Sequence, residues 1–174
     1  MHYLCSVAEC PALARESVDC VTVAQAAHWL DHGAFNAVVR EVASPGALIV
    51  IWGYGLSRIT PAIDATIGEL YSGILGGYWA AGRRHLDEEY RTIPFPYDEI
   101  EWPASSLEVR WTAEQFAGYI GTWSALRTYR RENGDATLRA WLDALHAAWG
   151  DGGARTVRWP LAVRAGYITE SRLT

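Results

Sequence analysis

The chain has 174 residues, a formal net charge of −5 at pH 7, and a composition in which half of the residues are hydrophobic. This length is typical of one domain, so residues 1–174 are interpreted as a single domain. The negative charge argues against a nucleic-acid-binding protein, which needs a basic face. All fifteen basic residues are Arg, which excludes chemistry that depends on a Lys, such as Schiff-base formation.

Three cysteines, Cys5, Cys10 and Cys20, lie within the first twenty residues. Their odd number and their spacing match neither a disulfide framework nor a metal site, so no metal is expected and the thiols are interpreted as reduced. The sequence shows neither a charged-then-apolar leader nor an apolar run of membrane-spanning length. These features predict a cytoplasmic protein without a membrane partner.

The first third of the chain predicts an α/β fold with a parallel sheet. His2–Val7 is a short strand candidate, and the β-branched run Val18–Ala24 is typical of a strand that is buried on both faces. Gly33–Ala43 has the apolar spacing of a helix, and Ser44-Pro45-Gly46 predicts a turn before the apolar strand Ala47–Tyr54. Strand, helix and strand with short connections form a βαβ unit, whose strands are parallel.

The remainder of the chain alternates between helices and strands around an irregular insertion. The insertion covers about residues 76–105 and is punctuated by Pro94, Pro96 and Pro103. Thr112 and Gln115 have the spacing of a capping box, which predicts a helix from residue 113. The other predicted elements are a helix over Ile63–Tyr78, a strand over Leu107–Trp111, a helix over Asp135–Trp149 and a last strand over Arg155–Ala165.

Four sequence blocks resemble one enzyme family in the same order along the chain. They are Ser17–Asp31 (SVDCVTVAQAAHWLD), Pro45–Gly55 (PGALIVIWGYG), Phe95–Ile100 (FPYDEI) and Gln115–Tyr129. The blocks resemble class I S-adenosylmethionine-dependent methyltransferases, in particular the group around trans-aconitate methyltransferase that is often labelled type 11. The resemblance covers essentially the whole chain.

The resemblance implies a Rossmann-like sheet with helices on both faces. The family has seven strands in the order 3-2-1-4-5-7-6, and the strands predicted here correspond to strands three to seven. The sequence holds no counterpart of strands one and two or of the glycine-rich donor loop, so an N-terminally incomplete methyltransferase domain is expected. The implied function is methyl transfer from S-adenosylmethionine to a small-molecule, carboxylate-bearing acceptor. The alternative is a non-catalytic fragment or interaction module.

The same resemblance places a donor site after the first strands. Ala8 and Glu9 match the position that meets the adenine edge, although Glu9 is equally a solvated loop carboxylate. Ala24, Gln25 and Trp29 match the region beside the sulfonium. Gln25 is a candidate hydrogen-bond partner of the donor or the acceptor. Trp29 either offers its aromatic face to the cation or packs in the core.

Acceptor-binding and catalytic candidates follow from the same comparison with the family. His28 is interpreted as a general base or substrate-orienting group, with a structural hydrogen bond as the alternative. Arg83 and Arg84 are candidates for a bidentate clamp on a carboxylate, or are two surface arginines. Tyr54, at the end of a predicted strand, is a further candidate for acceptor binding.

An exposed sheet edge is the last expectation from the sequence. Without strands one and two, the apolar strand Val18–Ala24 lacks a neighbour on one side unless His2–Val7 moves to pair with it. An unpaired edge of this kind is a template for pairing with another chain. The sequence therefore predicts a homo-oligomer that forms through this edge.

Overall fold

The computed structural model of the protein describes residues 5–151 and 153–169. The strands are β1 (Val18–Ala24), β2 (Ala43–Tyr54), β3 (Asp98–Ile100), β4 (Ser106–Trp111) and β5 (Arg155–Tyr167). The α-helices are α1 (His32–Val42), α2 (Pro61–Gly68), α3 (Arg83–Asp87), α4 (Ala113–Ile120), α5 (Ser124–Asn133) and α6 (Ala136–Trp149). The chain divides into two compact units. The first unit is formed by the residues up to Gly55, by 84–104 and by the residues from Leu161 onward. The second unit is formed by 56–83 and 105–160.

The sheet of the first unit has the strand order β1-β2-β5-β3. β1 and β2 are parallel and are connected through α1, which confirms the predicted βαβ unit. The C-terminal part of β5 pairs antiparallel with both β2 and β3. The apolar face of α1, through Phe35 and Val39, packs against Ile49 and Ile51 of β2 in the buried core. This arrangement confirms a Rossmann-like α/β fold. The strand predicted as number six, Leu107–Trp111, does not take that place in this sheet: β3, from the predicted irregular insertion, lies beside the C-terminal part of β5, and β4 pairs with the N-terminal part.

The beginning of the chain differs from the expected strand at His2–Val7. Cys5–Val7 is irregular, and the rest of that segment lies outside the described residues. The prediction that β1 is buried on both faces is wrong, because its side chains alternate in burial: Val23 is buried, whereas Cys20 and Thr22, which point to the opposite face, are exposed. Among the strands that the structure describes, β1 pairs with β2 alone.

The predicted turn at Ser44-Pro45-Gly46 lies inside β2 and not before it. Val18 pairs with Ala43 but Cys20 already pairs with Leu48, so β2 carries a bulge of several residues in its ladder with β1. Gly46 has a φ of 78°, a left-handed conformation that glycine adopts without strain. The bulge therefore preserves the turn that the sequence indicates.

The second unit is mainly helical. β4 pairs antiparallel with the N-terminal part of β5, and α4 begins at the predicted capping box of Thr112 and Gln115. The helix predicted over Ile63–Tyr78 is divided into α2, a π-helical segment over Glu69–Ile74 and a short 3-10 turn. The helix changes its hydrogen bonding where glycines weaken it, and the Leu75 N–H donates to the Leu70 carbonyl at 2.8 Å.

Within residues 5–151 and 153–169, no helix combines the length and the apolar character needed to cross a membrane.

Candidate functional site at the strand ends

The candidate site lies where β1 and β2 end in the first unit. Because the two strands are parallel, their carboxyl ends meet at one edge of the sheet, which is where open α/β sheets bind ligands. Five residues come together here and are called the strand-end cluster: Gln25, His28, Gly53, Tyr54 and Tyr90. Three of the five, His28, Gln25 and Tyr54, are candidates from the sequence.

Gln25 joins the ends of the two strands. Its side-chain Oε1 accepts a hydrogen bond from the Tyr54 N–H at 2.8 Å, and its Nε2 donates to the Tyr54 carbonyl at 3.0 Å. Its own N–H donates to the Trp52 carbonyl at 2.8 Å, and its φ of 53° is left-handed. A left-handed residue other than glycine is strained, so these bonds stabilise an unfavourable backbone conformation. In this arrangement Gln25 positions the strand ends.

Tyr90 is a member of the cluster that the sequence does not single out. It is fully buried, with 0% relative exposure, and its hydroxyl lies 3.3 Å from His28 Nδ1. Its φ of 60° follows a φ of 56° at Glu89, so two consecutive residues are left-handed. Tyr90 lies in the predicted irregular insertion, where no periodicity signals which side chain turns inward.

Gly53 permits the close approach of these side chains. A Cβ atom at this position would lie 2.7 Å from the Tyr90 hydroxyl and 2.8 Å from Gln25 Oε1. Both distances are shorter than non-bonded atoms tolerate, so any larger residue would displace one partner or the other. The sequence reading places Gly53 at the end of an apolar strand, and the structure shows why a glycine is needed there.

His28 and Trp29 lie on a 3-10 turn, Ala27–Trp29, directly after β1. Their rings are 4.9 Å apart, and the His28 ring is also stacked on Tyr90 at 6.3 Å. Trp29 is 66% exposed, which excludes the alternative that it packs in the core. The edge of the sheet thus presents an indole face to solvent beside a half-buried imidazole.

Glu9 contacts the segment after the 3-10 turn and not the cluster itself. Its Oε1 accepts a hydrogen bond at 3.0 Å from the N–H of Asp31, the residue that caps α1. Glu9 therefore fastens the N-terminal segment to the loop that carries Trp29. Ala8 is exposed beside an apolar groove that Val18 and Phe35 also line, and Ala24 is exposed at the end of β1.

The two arginines proposed as a carboxylate clamp have different surroundings. In the second unit, Arg83 Nε donates to the Tyr71 hydroxyl at 3.0 Å, and its guanidinium lies 4.9 Å from the Trp79 ring centre. The hydrogen bond to Tyr71 and the cation–π interaction with Trp79 together hold the Arg83 side chain in place. Arg84, the first residue of its segment in the first unit, is exposed.

Arg164 supports the cluster from β5 and is not singled out by the sequence. Its Nη1 donates to the carbonyl groups of Tyr90 and Ile93 at 3.2 and 3.0 Å. Its Nε and Nη2 donate to the two oxygens of Glu99 at 2.8 and 2.7 Å. These hydrogen bonds lower the pKa of the Glu99 carboxyl below its ordinary value. The bidentate ion pair fixes an arginine that in turn holds the strained Tyr90 segment.

In the part of the chain that the structure describes, no three His, Cys, Asp or Glu side chains are grouped so that they could hold an ion. The chemistry available at the strand ends is that of an exposed aromatic face, an imidazole and a buried phenol.

Comparisons with known proteins find two informative relatives. A Dictyostelium discoideum protein named as a methyltransferase is 32% identical over 132 residues, which cover 74% of this chain and 50% of that protein. This chain thus spans about half the length of that curated relative. A solved structure from Anaeromyxobacter dehalogenans, named as a type II methyltransferase, is 43% identical with a TM-score of 0.88. That match covers 97% of this chain and 72% of the solved one. No protein-family model matches the chain.

Proposed function

This chain belongs to the class I S-adenosylmethionine-dependent methyltransferases, and from that premise we propose that its strand-end cluster takes part in methyl transfer from S-adenosylmethionine to a small-molecule acceptor. The observation that carries the proposal is the exposed Trp29 ring, 4.9 Å from His28, at the carboxyl end of a parallel strand. This is the edge at which α/β sheets hold ligands.

The chemistry of the residues at this edge fits the donor. When bound, S-adenosylmethionine supplies a methyl group on a positively charged sulfonium. The exposed face of Trp29 is suited to such a cation, because an aromatic quadrupole attracts positive charge. The Glu9 carboxylate, on the segment that is fastened to the same loop, is suited to accept a hydrogen bond from an exocyclic amine.

The contribution of the chain's own residues is mainly positional. Displacement at a methyl carbon depends on alignment of the reacting atoms, and rigid positioning supplies much of the rate. The bonds between Gln25 and Tyr54 fix the two strand ends, and Tyr90 fixes the ring of His28 from the buried side. His28 is then the titratable side chain placed to contact an acceptor, as a base or as an orienting group.

A carboxylate-bearing acceptor remains part of the proposal. Arg84 is exposed on α3 and offers the planar, bidentate donor set that suits a carboxylate. Arg83 is the weaker candidate of the two, because the Tyr71 hydroxyl and the Trp79 ring already engage its guanidinium.

The experiment that tests the donor proposal is calorimetric titration with S-adenosylmethionine and S-adenosylhomocysteine. We expect both compounds to bind. Trp29→Leu should weaken the binding of S-adenosylmethionine, which carries the sulfonium, by about 2- to 30-fold more than the binding of S-adenosylhomocysteine, whose sulfur is uncharged. Trp102→Leu, which removes another exposed indole of the first unit, serves as the matched control. Absence of heat for both ligands at millimolar concentration would contradict the proposal and favour the non-catalytic interaction module.

A further inference from the structure

We infer that His32 and His85 form a two-histidine site for a divalent transition-metal ion, an inference that does not depend on the proposed function. Both side chains belong to the first unit and are half-buried, and their ring centres lie 5.9 Å apart at an interplanar angle of 77°. The observation that carries the inference is that a hydrogen-bond partner fixes the proton of each ring on one nitrogen and leaves a lone pair on the other.

The proton of the neutral His85 ring is on Nδ1. The Thr92 hydroxyl oxygen lies 2.9 Å from His85 Nδ1 and 2.7 Å from Glu88 Oε2. An ionised carboxylate can only accept a hydrogen bond, so Thr92 donates its single hydroxyl proton to Glu88. The Thr92 oxygen must then accept from the Nδ1–H group of His85, and the lone pair of the neutral ring is on Nε2.

The proton of the neutral His32 ring is on the other nitrogen, Nε2. This nitrogen lies 2.9 Å from the carbonyl oxygen of Ala27, and a carbonyl oxygen only accepts hydrogen bonds. Nε2 therefore donates, and the lone pair is on Nδ1. Among the described residues, no further hydrogen bond engages the lone-pair nitrogen of either histidine.

The partners behind the two rings are those that metal-ligating histidines use. Such a histidine donates its second N–H to a carboxylate, a backbone carbonyl or water, which fixes the ring and makes the ligating nitrogen more basic. His32 has a backbone carbonyl in this position. His85 has a hydroxyl that is itself bonded to a carboxylate. Both imidazoles are thus held in the protonation form that a metal ion requires.

The separation of the two rings suits one shared ion. Two imidazoles that bind an ion tetrahedrally, with metal–nitrogen distances of about 2 Å, have their ring centres roughly 5 Å apart. The observed separation of 5.9 Å needs only a small side-chain rotation to reach that value. Neutral imidazole selects ions such as Zn²⁺, Ni²⁺ and Cu²⁺ over Mg²⁺ and Ca²⁺. Two nitrogen ligands leave further coordination positions open to water or to a small ligand.

Calorimetric titration of the whole chain with NiCl₂ tests the inference. Ni²⁺ is the probe because imidazole binds it well, whereas the cysteine thiols would compete for Zn²⁺. We expect the wild type to bind one ion at micromolar concentration. His32→Gln and His85→Asn each place an amide N–H where the ring N–H stood and remove the ligating nitrogen. Each variant should bind Ni²⁺ more weakly by about 10-fold or more.

The matched control is His146→Gln, which removes an exposed histidine of α6 in the second unit and should leave Ni²⁺ binding unchanged. Thr92→Val removes the hydroxyl that fixes the His85 proton and should weaken binding by about 10-fold. Circular dichroism shows whether each variant is folded. Unchanged Ni²⁺ affinity in a folded His32→Gln, His85→Asn or Thr92→Val would overturn the inference.

A measurement on the wild type decides the question even where a variant fails to fold. Ni²⁺ is paramagnetic and broadens the nuclear magnetic resonance signals of nearby groups. We expect substoichiometric Ni²⁺ to broaden the amide signals around residues 32 and 85 before any others. Broadening centred elsewhere in the chain, or none at all, would overturn the inference. Donor binding is measured without metal, so failure of the proposed function would be seen separately.

Discussion

The side-chain amide of Gln25 forms two hydrogen bonds with the main chain of Tyr54, so that one residue after β1 closes onto the last residue of β2. The Oε1 and Nε2 atoms of Gln25 therefore hold the two strand ends together and are already engaged by the main chain of Tyr54. Gln25 also has a left-handed backbone, so its substitution changes both the hydrogen bonds and the backbone strain. Two different substitutions can separate these two effects on stability.

Gln25→Ala should destabilise the first unit by about 1–3 kcal/mol, because the partly buried main-chain N–H and carbonyl of Tyr54 lose their hydrogen bonds with this side chain. Gln25→Gly loses the same bonds but relieves the left-handed strain, so it should be more stable than Gln25→Ala by about 1 kcal/mol. Urea denaturation of the two variants measures the difference. A glycine variant less stable than the alanine variant would show that the backbone at this position is not strained.

Burial raises the pKa of Tyr97 to about 12, and its hydroxyl donates to Asn36 inside the core. A raised folded-state pKa means that the stabilisation is complete below the ordinary value near 10 and is lost as pH rises towards 12. We therefore expect the free energy of unfolding to fall between about pH 10 and 12, measured by denaturation at stepped pH. Tyr97→Phe should be less stable than the wild type at pH 8, but its free energy of unfolding should change less between about pH 10 and 12. Parallel profiles for both proteins would contradict this assignment.

The ion pair of Glu99 and Arg164 should make the free energy of unfolding depend on pH in the opposite direction to Tyr97, with stability lost as the pH falls. Because the pKa of Glu99 is lowered in the folded state, its stabilisation is present above the ordinary carboxyl value and is lost as pH falls through the lowered one. Glu99→Gln should weaken the protein at neutral pH and flatten its acid denaturation profile. Glu101→Gln, at an exposed carboxylate two residues away, is the control and should follow the wild type.

We also propose that a second copy of the chain pairs with the edge of β1. In the described ranges, β1 has β2 as its strand partner on one side, and Cys20 and Thr22 are exposed. Thr22→Lys should shift the chain towards the monomer in sedimentation velocity at micromolar concentration, because an edge lysine opposes strand pairing. Thr156→Lys, at an exposed position where β5 is already paired with β4, should have no effect. A monomeric wild type would contradict the proposal.

The order of the main elements could be predicted from local patterns, whereas the contacts of the site could not. β1, α1 and the core of β2 follow from apolar periodicity, and the capping box at Thr112 follows from hydrogen-bonding chemistry within four residues. Tyr90 and Arg164 lie more than sixty residues from His28 and 74 residues from each other, and only tertiary packing brings them together.

Local patterns failed in a second way at β1 itself. Its composition predicts burial on both faces, but burial depends on which strands and helices lie beside it, and the sequence of β1 alone does not contain that information. Trp29 illustrates the same limit, because an indole directly after a strand is compatible with either core packing or a ligand face. The structure exposes it.

Chemical-shift mapping of the nitrogen-15-labelled chain during titration with S-adenosylhomocysteine tests whether the donor binds at the ends of β1 and β2. We expect the largest changes on the amides of residues 25–31, on Tyr54 and on the Trp29 indole, while the amides of α5 and α6 remain unchanged. Changes confined to α5 and α6, or no change at millimolar ligand, would contradict a donor site at the ends of β1 and β2.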